Sequence, residues 1–190
     1  MTIAAHCIHI AESEIELLAD SRTAVVHNPQ SNMNNAVGVA PILRWVERGV
    51  RCGIGSDGMS ANIGEDFRVA DLLQKSVQGD PRVAWSEVAT MALDGNPSIA
   101  DAYFQRSLGV LRPGAAADVI VKSYRPFTPL ERGNVWGHFL FGIYREPALL
   151  TLVDGEPVWR DGRHVRDLDL SAIHARSNEL SVDLWRRFAG

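Results

Sequence analysis

The chain has 190 residues, 46% of them hydrophobic and 22% charged, with a formal net charge of -4; this is the composition of an ordinary globular protein, not of a disordered or membrane-embedded one. Net acidity and scattered Lys and Arg residues exclude nucleic-acid binding as a main task, because a phosphate backbone calls for a concentrated basic surface. No apolar run reaches the roughly 18 residues of a membrane helix, and no basic start and apolar stretch open the chain, so a cytoplasmic location without membrane contact is expected.

Short β-branched runs alternate with longer amphipathic segments over the first 95 residues, the pattern of βαβ units and a parallel sheet. Residues 2–8 read as the first strand. Residues 12–20 read as a helix with Ile15, Leu17 and Leu18 on its apolar face and Ser13 to Glu16 as a capping box. Residues 23–27 form the second strand, ended by Asn28 and Pro29, and the polar stretch through Asn35 reads as a long loop. Pro41 opens a helix with Ile42, Leu43 and Val46 on one side, and Gly49 closes it where a left-handed cap is expected. Residues 50–54 form a third strand, apolar on both faces as in a buried parallel sheet, broken at its C-terminal end by Gly55-Ser56-Asp57-Gly58. Helices follow over 65–77, 86–93 and 97–105. Cys7 and Cys52 each lie in an apolar run, where a small buried core thiol is expected rather than a disulfide or a ligand.

The character changes at Leu111. Pro113, Gly114 and three alanines lead into a strand over 118–121, then a strand over 149–153, a turn at Asp154-Gly155 and a strand over 157–160, which are antiparallel hairpin signals. Residues 170–188 close the chain as an amphipathic helix.

The three early strands end in residues that carry chemistry: His6 with His9, His27 with Asn28, and Asp57. Ligands gather at the carboxyl ends of parallel strands, so a shared site follows if the fold brings these ends together. Taken singly, each has a plainer reading. Asp-Gly is an ordinary turn signal, and a histidine on an apolar strand is commonly a satisfied core residue. His138, His164 and His174 show no metal-ligand spacing and read as surface or packing residues.

The runs Ala5-His6-Cys7-Ile8-His9-Ile10, Val26-His27-Asn28-Pro29-Gln30-Ser31-Asn32 and Gly55-Ser56-Asp57-Gly58 resemble, in order and spacing, the last third of the barrel in metal-dependent amidohydrolases. The branch is that of the cytosine, guanine and adenosine-type deaminases and the chlorohydrolases. Leu72-Leu73-Gln74-Lys75, Gly109-Val110-Leu111-Arg112-Pro113-Gly114 and Ala117-Asp118-Val119-Ile120-Val121 extend the resemblance, which spans residues 3–165. Asn32-Met33-Asn34-Asn35 and Gly137-His138-Phe139-Leu140-Phe141-Gly142 look most like aminohydrolases of the SsnA type.

The resemblance implies an α/β fold: residues 1–110 as strands six to eight of a (β/α)8 hydrolase barrel, and residues 111–190 as a partial β-sandwich with a C-terminal helix. It implies hydrolytic deamination, or related non-peptide C-N hydrolysis, of a small heterocyclic substrate, with a divalent metal, zinc first and iron as the alternative. Asp57 matches the carboxylate that binds the metal and takes a proton from the metal-bound water, whose pKa such an ion draws toward about 7. His6 matches the catalytic imidazole that hydrogen-bonds the substrate or the attacking hydroxide and stabilises the tetrahedral intermediate. His27 and Asn28 fall where relatives place substrate-side groups, and His9 reads as structural.

A closed barrel alone takes about 250 residues, and the resemblance implies further ligands, a His-x-His pair and a third His followed by a Glu, that this sequence lacks. The chain is therefore expected to be a fragment that holds no metal tightly and hydrolyses nothing by itself. Open edges on strands six and eight imply, as partner, a missing N-terminal half or a second copy. The alternative is a degenerate, non-enzymatic remnant that binds a small molecule or a partner. A flavodoxin-like domain fits poorly, since no Gly-rich phosphate cradle follows any strand.

Overall fold

The computed structural model describes residues 2–104 and 106–190. Strands β1 (Ile3–Ala5), β2 (Ala24–His27) and β3 (Cys52–Ile54) form a parallel sheet in the order β1-β2-β3. Ala5 pairs with Val26 and Val26 with Gly53, so the three carboxyl ends emerge side by side. The first strand stops short of its predicted end because His6 and Cys7 turn into left-handed backbone, at φ 68 and 41.

The core is built by helices laid on this sheet. Ile15 of α1 (Glu12–Ser21), Ile42 and Trp45 of α3 (Ile42–Glu47), Phe67 and Ala70 of α4 (Ile63–Gln78) and Val88 of α5 (Trp85–Thr90) pack with Val25, Cys52 and Ile54. Trp45 is fully buried, while Leu43 and Val46 line the margin. The capping box of α1 sits two residues earlier than Ser13 to Glu16: Ala11 N–H donates to Glu14 Oε2 at 2.7 Å, and Glu14 N–H to the Ala11 carbonyl at 3.0 Å. The Leu72-to-Lys75 signature is a packing device. Gln74 Nε2 donates to the Ala40 carbonyl at 2.9 Å, and Lys75, bonded to buried Asp71 at 2.6 and 2.7 Å, lies 5.1 Å from the centre of the Trp85 ring.

The predicted loop after β2 is instead a helix, α2 (Pro29–Asn34). Pro29 starts it at a position that needs no N–H, and Asn32 N–H donates to the Asn28 carbonyl at 3.0 Å. Ser31 and Asn32 are buried, because their side chains bond other elements rather than water.

The two helices predicted over 86–93 and 97–105 form one run: α5 passes through a π turn, Met91–Gly95, into α6 (Asn96–Asp101). Gln105, the last predicted position, lies outside the described residues. A Cβ at Gly95 would collide with the Cys52 carbonyl oxygen, so only glycine permits this contact with β3. The next residue overturns one expectation. Asn96 Oδ1 accepts from Ile54 N–H at 2.8 Å and Asn96 Nδ2 donates to the Ile54 carbonyl at 3.0 Å, so the outer edge of β3 is covered by a side-chain amide acting as a strand. β1, by contrast, has only β2 beside it among the described residues.

An antiparallel sheet follows, β4 (Val119–Lys122), β5 (Ala148–Val153), β6 (Glu156–Arg160) and β7 (Arg163–His164), in that order. Its hairpins turn at Asp154-Gly155 and Asp161-Gly162, each with two positive φ values, the geometry that matches strand twist. Between β4 and β5 lies α7 (Val135–Phe141), which the strand-by-strand reading did not foresee. Leu140 enters the core, and Trp136 and Phe139 pack on Phe67, so residues beyond 110 complete the core of the first half. The final helix, α8 (Leu170–Ala189), is capped by Asp169, whose Oδ1 accepts from Ala172 N–H at 2.9 Å, and buries no residue.

Candidate active site at the carboxyl ends of the parallel strands

Three consecutive turns meet where the sheet ends. His6 leaves β1 with its N–H donating to the Val26 carbonyl at 2.9 Å, and its left-handed backbone swings the imidazole over the strand ends. Asp57, also left-handed at φ 51, stands in the turn after β3. His6 Nε2 lies 3.7 Å from Asp57 Oδ2, and the two side chains are 40% and 46% exposed, open to a solute.

α2 ties both down. Ser31 Oγ donates to Asp57 Oδ2 at 2.7 Å, and Asn32 Oδ1 lies 2.8 Å from His6 Nδ1. Gly58 N–H donates to Asp57 Oδ1 at 2.7 Å. The Ser31 hydroxyl first, then the Gly58 N–H, and then the His6 charge hold the Asp57 carboxyl below the usual aspartate range, so it is a carboxylate at neutral pH. Strand-end logic found His6 and Asp57 but missed Ser31 and Asn32 as partners. The available signal was Pro29 directly after Asn28, which marks a helix start and would have placed residues 31 and 32 on its first turn.

His27 and Asn28 are next to this pair but beneath it. His27 is fully buried, neither ring nitrogen has a hydrogen-bond partner, and its ring meets Trp45 edge-on at 6.3 Å. Burial, helped by the His6 charge, pushes its pKa down to about 4, so it is neutral. Asn28 is also buried, its Oδ1 where a Cβ at Gly55 would stand. Of the other histidines, His9 is exposed, His138 is held by Tyr124 Oη at 2.6 Å and Thr128 Oγ1 at 2.9 Å, and His164 meets Trp159 edge-on at 5.2 Å. Both cysteines are free: Cys52 is buried and Cys7 half-buried against the core.

Whether these residues fit a metal is a question of donor number. Zinc takes three or four protein ligands. Asp57 and His6 offer one carboxylate and one imidazole, and no group of three or more His, Cys, Asp or Glu gathers for a metal among the described residues. The donor set within this chain is incomplete.

The amidohydrolase family profile matches residues 1–157. A 5-methylthioadenosine/S-adenosylhomocysteine deaminase of Desulforudis audaxviator is 38% identical over 176 residues, covering 90% of this chain and 40% of that protein. The corresponding Pelotomaculum thermopropionicum deaminase is 32% identical over 190 residues, covering 97% of this chain and 43% of that protein. Among solved structures, a zinc-bound adenosine deaminase from Xanthomonas campestris superposes with a TM-score of 0.79 at 23% identity, over 97% of this chain and 42% of that one. The zinc complex of atrazine chlorohydrolase from Arthrobacter aurescens gives 0.74 at 24% identity, over 94% and 40%. The chain thus spans about two fifths of the length of the relatives it matches.

Proposed function

Since the chain belongs to the amidohydrolase family, we propose that it is the carboxyl-terminal portion of a hydrolytic deaminase acting on an aminated purine nucleoside of the 5-methylthioadenosine or S-adenosylhomocysteine class. The relatives' names support the substrate class. The observation that carries the reading is the exposed Asp57 carboxylate beside His6 at the strand ends, each anchored from α2.

In hydrolytic deamination water adds to the ring carbon that bears the amine, and the amine leaves as ammonia. Asp57 is the proton acceptor: its low basicity, set by Ser31 and Gly58, keeps it ionised and ready to take the proton that the attacking water gives up. His6, within reach of the same water, hydrogen-bonds the substrate or hydroxide and steadies the charge of the tetrahedral intermediate. His27 and Asn28, buried beneath the pair, bear on the substrate side only by backing the residues that face it, His27 as a neutral ring. In this reading residues 1–110 are the barrel part and 111–190 the partial β-sandwich, except that α7 packs on the barrel side. Asp57 alone does not complete a zinc site, so the metal of this proposal, zinc or alternatively iron, takes its remaining ligands from outside these 190 residues. The chain alone is expected to hold no metal tightly and to turn over nothing.

The test joins the chain to a polypeptide spanning the remaining length of a matching relative and assays ammonia release from 5-methylthioadenosine, adenosine and guanine, with metal analysis. Turnover only in the joined protein, falling about 10²- to 10⁴-fold in Asp57→Asn, is the expected result. A folded, metal-loaded assembly inert to every aminated heterocycle overturns the reading and leaves the non-enzymatic remnant. Stoichiometric zinc in the 190-residue chain alone overturns the metal assignment.

A further inference from the structure

We infer that Lys122 is a nucleophilic amine in the wall of an apolar cavity, a site for a small apolar aldehyde or ketone that it holds as an imine. The cavity shares no residue with the His6–Asp57 pair, so the two sites stand or fall separately.

The cavity holds about 740 Å³ between the start of α4, β4 and the 3₁₀ turn Ile143–Arg145, inside the range of about 300 to 1,000 Å³ that small-molecule pockets occupy. Ile63, Ile120, Leu130, Phe139, Ile143 and Ala148 give it apolar walls. Gly64 lets α4 close on the turn, since a Cβ there would stand 2.6 Å from Tyr144 Cβ. The neutral polar side chains in the lining are already engaged. Tyr124 Oη is bonded to His138 Nδ1 at 2.6 Å, Asn62 Nδ2 donates to the Tyr144 carbonyl at 3.3 Å, and Tyr144 Oη accepts from Arg145 Nε at 2.8 Å. Lys122 is the one charged residue lining the cavity among the described residues, and it makes no ion pair among them.

Its nitrogen is fixed in place. Nζ donates to the Tyr144 carbonyl at 2.8 Å and to the Glu146 carbonyl at 2.9 Å. Two acceptors satisfy the two N–H groups of a neutral amine and leave its lone pair free, whereas an ammonium would carry a third N–H with no protein acceptor among the described residues. Burial pushes the amine below the usual lysine value, against the smaller upward pull of the Glu146 charge. A desolvated lysine without a counterion is the arrangement that makes this side chain a nucleophile toward carbonyls. Lys75 is the contrast: both oxygens of the Asp71 carboxylate hold it, at 2.6 and 2.7 Å, and keep it an ammonium.

The step balances without an oxidant or reductant. The Nζ lone pair adds to the carbonyl carbon and forms the C–N bond; the oxygen then leaves as water with the two amine protons, giving the imine. On taking a proton from solvent the imine keeps one N–H for the Glu146 carbonyl, while the Tyr144 carbonyl retains Asn62. The apolar walls select the rest of the ligand, favouring an aryl or alkyl aldehyde over a charged one.

The sequence has two lysines, Lys75 and Lys122, which makes the test direct. The native chain is treated at pH 7 with benzaldehyde or with glyoxylate, cyanoborohydride traps any imine as a secondary amine, and peptide mapping by mass spectrometry gives the rate at each lysine. With benzaldehyde Lys122 is expected to react about 10-fold or more ahead of Lys75, and to lose that lead in concentrated urea and with glyoxylate. Ile120→Glu, at an exposed position two residues away on the same face of β4, places a carboxylate beside the amine and is expected to bring Lys122 down to the rate of Lys75. Equal rates for the two lysines with benzaldehyde in the folded wild type overturn the inference, and so does a lead that survives urea or is as large with glyoxylate. A folded Ile120→Glu chain with an undiminished lead overturns it as well. The wild-type comparison decides alone if that variant does not fold.

Discussion

A histidine buried without a hydrogen-bond partner is a pH-dependent liability, and His27 is one. Its pKa falls from 6.5 to about 4 through burial and the His6 charge. The unfolded chain therefore takes up a proton near pH 6.5 that the folded chain refuses until about pH 4. The stability this represents is fully present above pH 6.5 and is lost as pH falls through about 4, about 3 kcal/mol at most at 1.36 kcal/mol per unit. Asp66 has the opposite sign. Burial raises its pKa, so its contribution is present at low pH and lost as pH rises through the raised value. Urea melts at pH 7 and pH 4.5 of wild type and His27→Leu, compared at matched pH, cancel the Asp66 part; the acid loss is expected to shrink in the variant, and an equal loss in both discards this account. The thiols give a second residue-scale prediction. Burial pushes Cys52 up to about 12 and, with Glu14, raises half-buried Cys7. At pH 8 a maleimide is expected to label Cys7 first, with Cys52 labelled only at the rate of unfolding, as peptide mapping after timed quenching will show.

At the scale of elements, helices differ in what holds them. α8 buries none of its residues and exposes Leu170, Ile173, Leu180, Trp185 and Phe188. Deleting residues 170–190 is expected to change the unfolding free energy of the rest by no more than about 0.5 kcal/mol, and limited proteolysis is expected to cut within α8 first; a large fall in the urea midpoint would contradict the exposed placement. α2 is the converse, six residues long and polar, yet fixed by two side-chain bonds to other strands' ends. This contrast explains what was legible in the sequence. Strand ends were readable because β-branched runs stop at Asn28-Pro29 and at Asp57-Gly58, both local signals. α8 was readable from its periodicity. α2 was not, because burial of Ser31 and Asn32 depends on partners 26 residues away in each case. α7 escaped for a related reason: its short apolar run is helical because it docks on Phe67. His6 and Asp57 could be named from strand logic and family resemblance, but not the two residues that orient them.

At the scale of the whole molecule, the decisive feature is that the parallel sheet has one open side among the described residues. Two open edges would let copies join head to tail without limit, since β1 of one meets β3 of the next, whereas a single open edge permits only a closed, self-complementary pair. Asn96 closes one of them by bonding both the N–H and the carbonyl of Ile54, while Gly95 brings the helix against Cys52. No sequence pattern announces this, because Asn96 answers a backbone 42 residues away. Next to it, Ile3, Val26, Ile54, Ile99 and Phe104 line an apolar hollow of about 600 Å³, so an exposed edge here would be driven to associate by area as well as by hydrogen bonds. Asn96→Ala leaves the Ile54 groups unpaired, which is expected to cost on the order of 2 kcal/mol. Sedimentation velocity over a concentration series is expected to show wild type reaching a dimer and stopping there. The variant is expected to give a widening series of larger species, because β1 and β3 can then pair head to tail. Equal distributions for the two proteins would mean that the side chain of Asn96 is not what limits association, and that β3 is protected by the packing of Gly95 alone.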